Sequence, residues 1–248
     1  MIAFLVALQF LTRIPVTKGV IWTNERFGRC LVFFPLVGMV LGLLLWGWYA
    51  VWIQWLDSFY VAIIVTGTWL FLTGGIHADG YMDTADGIFS GRDRQTMLAI
   101  LKDSHVGANS VMAFVFLVLL KVCFLANVSP RLMSSVLVGV PAAARLATVT
   151  GVSCFPYARK TGLGQIFKTY APAYTLGGAI VLALLPCVVG GMFYLVLLGF
   201  SICISLVVNR YITSLLGGLT GDTYGAVVEL IEMLLLGLAV VLPQVGIG

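Results

Sequence analysis

Apolar runs long enough to cross a bilayer follow one another along this chain, and they leave it few ways to fold. A helix needs roughly 20 residues to cross the hydrocarbon layer. Runs of that kind lie near 31–53, 58–76, 106–126, 132–151, 173–190, 191–208 and 224–242. Hydrophobic residues make up 60% of the 248 and charged ones 10%, with a mean hydropathy of +1.06; a soluble domain carries about 25% charged residues. The predicted fold is an all-α, polytopic integral membrane bundle of about seven transmembrane helices plus an N-terminal apolar helix. Residues 1–248 are expected to form a single membrane domain. Met1–Thr12 has neither a basic stretch before it nor a small-residue cleavage site after it, so it reads as a retained helix.

Charge sets the expected orientation. With seven spans, segments 1–30, 77–105, 152–172 and 209–223 share one side, and they hold 11 of the 14 Lys and Arg residues, including Lys18. The positive-inside rule then places these segments in the cytoplasm. The net charge of +4 is too small to point to nucleic acid. Five cysteines scattered without paired spacing argue against a disulfide framework or a zinc site. Gly38 and Gly42 fit a small-residue face for close packing in lipid.

The acids are concentrated. Five of ten fall between Asp79 and Asp103, and Asp222, Glu229 and Glu232 lie near the last span. Asp79, Asp83 and Asp86 are spaced i, i+4, i+7, which puts three carboxylates on one helix face. Such a cluster calls for a cation, and oxygen ligands beside phosphates suit magnesium. His77 reads as a ligand, a base or a phosphate donor, or as the cap of a span. Asp103 and Ser104, beside Lys102 and His105, could instead cap the next helix. Gly217-Gly218 precedes Asp222 and Glu229 at the offsets by which Gly74-Gly75 precedes Asp79 and Asp86, a possible weak repeat. Glu229 and Glu232 are costly inside an apolar helix and mark either function or pairing with Arg145 or Lys121. Arg92, Arg94, Lys102, Arg13, Arg159, Lys160 and Lys168 supply positive charge. A metal with several cations is the arrangement that phosphoryl transfer requires.

At this point the chain resembles the cobalamin synthase family, the adenosylcobinamide-GDP ribazoletransferases. The resemblance rests on Phe10-Leu11-Thr12-Arg13-Ile14-Pro15-Val16, Phe34-Pro35-Leu36-Val37-Gly38, the stretch Leu72–Ser90, Lys102-Asp103-Ser104 with Gly107, and Gly221-Asp222-Thr223 with Gly225-Ala226 and Glu229. The family usually carries Leu where this chain has Ala78. The resemblance implies a catalytic segment 74–107 completed by 217–232. It also implies a magnesium-dependent transferase of the bacterial inner membrane, with its site facing the cytoplasm. There α-ribazole or its 5′-phosphate would be joined to adenosylcobinamide-GDP, with loss of GMP. In this reading Asp79, Asp83, Asp86, Asp222 and Glu229 hold metal. His77, Asp83 and Asp86 are catalytic, and Arg13, Arg92, Arg94, Lys102, Asp103 and Ser104 bind phosphate or substrate.

Two other readings stand beside it: a transporter using intramembrane carboxylates, and a CDP-alcohol-type phosphotransferase with a related acid spacing. The sequence leaves open whether copies associate as a homo-oligomer.

Overall fold

The computed structural model describes residues 2–15 and 23–246; Val16 and Lys18 lie outside the described residues. The chain forms α1 (Ile2–Leu11), α2 (Asn24–Cys30), α3 (Phe34–Trp52), α4 (Ser58–Leu72), α5 (Ile76–Phe89) and α6 (Arg94–Ile100). These are followed by α7 (Ala108–Asn127), α8 (Met133–Cys154), α9 (Leu163–Tyr170), α10 (Thr175–Ala183), α11 (Cys187–Leu216) and α12 (Gly221–Val241). Among the described residues the only β-pairing is one isolated bridge, Tyr157 with Leu219. The all-helical membrane bundle is therefore present, and the protein is an integral membrane protein.

By length and composition, five helical runs among the described residues can cross a membrane: Asn24–Trp52, α7, α8, α11 and Gly221–Val245. Helix α4 qualifies only when taken with α5, and the two are bent by 91°. The three carboxylates of α5 place it beyond that bend, outside the membrane-spanning segments. The expected span over 173–190 is not one continuous helix. Helix α10 has nine residues, about 14 Å at 1.5 Å per residue, and Pro186 precedes α11. The expected joint at Gly190-Gly191 is present as a kink inside α11, where Gly191 has φ 52°, a conformation that glycine adopts without a Cβ clash.

Helix α8 is the axis of the bundle and is wholly buried along its apolar stretch. It packs on α3, α10, α11 and α12. A Cβ on Gly38 would lie 2.3 Å from the Pro141 carbonyl oxygen, and one on Gly42 2.3 Å from that of Leu137. The two glycines thus let α3 lie directly on the α8 backbone, where dispersion contacts replace the missing hydrophobic drive of lipid.

The four basic segments meet at one end of the bundle. The Arg13 amide donates to the Leu72 carbonyl at 2.7 Å. Gly28 lies against the Tyr170 backbone. The Ala158 amide donates to Leu219 O and the Leu219 amide to Pro156 O, each at 2.8 Å. Lys168 donates to the carbonyls of Val152 and Phe155, both at 2.9 Å, closing the C-terminus of α8. The shared side inferred from charge is thus a shared surface in three dimensions.

Candidate functional site

Two glycine pairs build this surface. Gly74 (φ 67°) and Gly75 (φ 72°) end α4 in left-handed conformations, and the Gly75 amide returns to Leu70 O at 3.1 Å. The chain turns there and restarts as α5. Gly217 (φ 71°) ends α11 in the same way. Thr220 then opens α12 with a capping box, its hydroxyl accepting from the Thr223 amide and the Thr223 hydroxyl accepting from the Thr220 amide. Each pair ends an apolar helix and aims the next, so that Asp79 and Asp222 emerge in the first turns.

Close approach then joins the two helices. A Cβ on Gly80 would lie 2.5 Å from the Asp222 carbonyl oxygen, and one on Gly225 3.1 Å from the His77 backbone. Asp222 is thereby carried to the acidic face of α5. Asp79, Asp83, Asp86 and Asp222 line a cavity of about 380 Å³, together with Lys102, Asp103, Ser104 and Arg159.

The four carboxylates have different surroundings. Asp222 pairs with Arg159 at 2.8 Å, and the same Arg159 nitrogen donates to Leu101 O at 3.3 Å. Asp86 accepts the amides of Gly107 at 2.7 Å and Ser110 at 3.0 Å. It therefore caps α7, a task the sequence suggested for Asp103 or Ser104. Among the described residues Asp79 and Asp83 have no hydrogen-bonded or ion-paired partner. Burial first, then the charges of Asp79, Asp222 and Asp86, push the Asp83 carboxyl up to about 6, against a weaker opposing pull from Arg159. At the rim, His105 Nδ1 contacts Asp103 at 2.6 Å. This contact lowers the Asp103 carboxyl and raises the His105 imidazole from their ordinary values.

The donor set fits a hard divalent cation. It is all oxygen, it concentrates negative charge on Asp83, and two of its carboxylates are unpaired. Among the described residues no three His, Cys, Asp or Glu side chains converge into a ready-made cage. Magnesium beside phosphates does not need one, since one or two carboxylates suffice when phosphate and water complete the shell.

Other expected site residues lie elsewhere. Glu229 does not join the acids. Seven residues beyond Asp222 is the same helix face, but about 10 Å further along the axis, where α7 presents Lys121. Glu229 pairs with Lys121; Lys121 reaches Glu232 at 2.7 Å, and Glu232 also pairs with Arg145. All four are at most 2% exposed, and Lys121 stands 5.1 Å above the Trp69 ring. Of the two readings of Glu229 and Glu232, the structure shows the pairing.

Arg13, Arg92 and Arg94 do not line the acidic cavity. Arg13 lies against Gly74 and 5.7 Å over the Phe71 ring. The Arg94 guanidinium rests on Gly217, and Arg92 is exposed. Their place is taken by Arg159, which local sequence does not distinguish from Lys160; only the bridge between Tyr157 and Leu219 singles it out. His77 is buried and does not line that cavity but a second one of about 200 Å³ that also borders Asp79 and Asp222.

With this geometry in place, comparison with known proteins is decisive. The cobalamin-5-phosphate synthase family matches residues 3–240. This chain belongs to that family. Similar members include the adenosylcobinamide-GDP ribazoletransferase of Clostridium acetobutylicum, 36% identical over 90% of this chain and 89% of that one. That of Brevibacillus brevis is 35% identical over 94% and 96%, and that of Desulfitobacterium hafniense 38% over 93% of each. No solved structure matches. As a member of the cobalamin-5-phosphate synthase family, the protein is a transferase of cobalamin biosynthesis embedded in a membrane.

Proposed function

We propose that the protein joins α-ribazole, or its 5′-phosphate, to adenosylcobinamide-GDP with loss of GMP, using magnesium at the acidic cavity. The observation that carries this reading is the meeting of Asp79, Asp83, Asp86 and Asp222 with Lys102 and Arg159 around one space at the basic end of the bundle. We place that end at the cytoplasmic face of the bacterial inner membrane, because the four segments that the sequence assigns to that side hold eleven of the 14 basic residues and a large polar donor has access there from water.

In this mechanism Asp83 and Asp222 would hold the ion, with Asp86 standing behind them on the α7 amides. Bound there, magnesium would neutralise charge developing on the pyrophosphate. Lys102 and Arg159 bind the remaining phosphate oxygens, and Arg159 is already oriented by Asp222 and Leu101. The acceptor ribose oxygen forms the new bond to the phosphorus attached to cobinamide, and the bond from that phosphorus to GMP breaks. The hydroxyl proton passes to Asp79, which borders both cavities and has no partner among the described residues. Catalysis is then largely positioning and charge neutralisation.

The test is GMP release by purified protein in detergent. Release is expected with adenosylcobinamide-GDP, ribazole and magnesium, and it should stop on chelation and resume on readdition. Substrate flux into liposomes without GMP release would favour a transporter, and turnover of CDP-alcohol donors would favour the phospholipid-type reaction.

A further inference from the structure

The cavity on the other side of Asp79 and Asp222 has a different chemistry. Phe10, Phe34, Phe167 and Tyr224 line it. The Phe10 and Phe34 rings are stacked with centroids 6.1 Å apart, and Phe167 stands edge-on to Phe34 at 5.7 Å. Among the described residues, no Lys or Arg borders it. Two buried side chains on its wall, each 6% exposed, hold polar atoms without a partner among the described residues: Tyr224 Oη and His77 Nδ1. A space walled by rings, with two unpartnered polar atoms among the side chains that line it, suits a flat, uncharged heteroaromatic group containing ring nitrogen. Unpaired buried polar atoms of this kind are costly unless a ligand or water satisfies them.

Resting on the function proposed above, we infer that this aromatic cavity binds the base of the acceptor nucleoside, while the acidic cavity binds the pyrophosphate of the donor. The two spaces share Asp79 and Asp222 as a common wall. Displacement at phosphorus brings the attacking oxygen in from the side opposite the leaving group. The cationic side has Lys102 and Arg159 for the departing GMP phosphate, so the nucleophile enters from the aromatic side. Charge agrees, because among the described residues the acidic or basic side chains at the aromatic cavity, the imidazole of His77 aside, are the carboxylates of Asp79 and Asp222. They repel a phosphate there and accept hydrogen bonds from a ribose hydroxyl. The 5′-phosphate of an acceptor carrying one therefore points out of the cavity.

The assignment is tested by equilibrium binding of α-ribazole alone to the full-length protein, which needs no turnover. Phe167→Leu keeps an apolar side chain and removes the ring. Stacking of a base on an aromatic is worth roughly 1–3 kcal/mol, or on the order of tenfold or more, so about a tenfold weaker binding is expected. KM for the acceptor should rise alike, with KM for the GDP-activated corrinoid within about twofold of wild type. Tyr224→Phe, which keeps the ring and drops only the hydroxyl, should weaken ribazole binding several-fold and serves if Phe167→Leu does not fold. Unchanged ribazole affinity in the folded variants overturns the assignment. So does a rise confined to the donor KM, which would put guanine in this cavity. Absence of GMP release by wild-type protein would instead refute the function proposed above, while the binding result would still decide what the cavity holds.

Discussion

Replacing Lys121 by Met should destabilise the protein, and pairing that change with removal of Glu229 should restore it. Lys121 is 2% exposed and faces both Glu229 and Glu232, with Arg145 as the second cation. Two acids and two bases balance. Without Lys121 one carboxylate is left buried and uncompensated, which costs roughly 3–5 kcal/mol. For a chain of this size 1 kcal/mol moves Tm by about 2–4 °C, so a drop of about 6–20 °C is expected. Thermal unfolding in detergent, followed by tryptophan fluorescence, suits this test because Trp69 lies under the Lys121 ammonium. In Lys121→Met/Glu229→Leu the Glu232–Arg145 pair remains neutral, and most of the lost stability should return, since apolar replacement of a buried ion pair is often neutral. The double variant should also keep transfer activity, because Glu229 lies away from the acidic cavity. A single variant melting within about 2 °C of wild type would refute the electrostatic reasoning. A restored but inactive double variant would refute the placement of Glu229 outside the site.

Asp83→Asn should reduce GMP release by about 10²–10³ or more, as loss of a preorganised charge does, with no loss of membrane insertion; near-normal activity would sink the acidic-cavity mechanism. Gly80→Val forces a Cβ to within 2.5 Å of the Asp222 carbonyl, so α5 and α12 must part. Activity should fall far more than Tm, checked by rate and melting together. Arg159→Met removes a charged hydrogen bond worth roughly 1.5–3 kcal/mol. It should raise the donor KM about tenfold or more while leaving ribazole binding nearly unchanged, as measured by initial rates and equilibrium binding.

The sequence alone determined the solvent, the helical class and the helix face that three of the acids share. Runs such as 132–151 satisfy their amides in lipid only as helices, and the i, i+4, i+7 spacing of Asp79, Asp83 and Asp86 follows from helix pitch. Local arithmetic also located the glycine pairs, whose left-handed residues end α4 and α11. It did not measure depth. Asp222 and Glu229 share a face, yet their different heights put one beside α5 and the other beside Lys121. Nor did it separate Arg159 from Lys160, or foresee that Asp86 caps a helix starting more than twenty residues later. Those outcomes depend on which backbones approach closely. That was decided where Gly80 meets Asp222 and where Tyr157 meets Leu219, between residues far apart in the chain, and no periodicity within one helix encodes such a meeting.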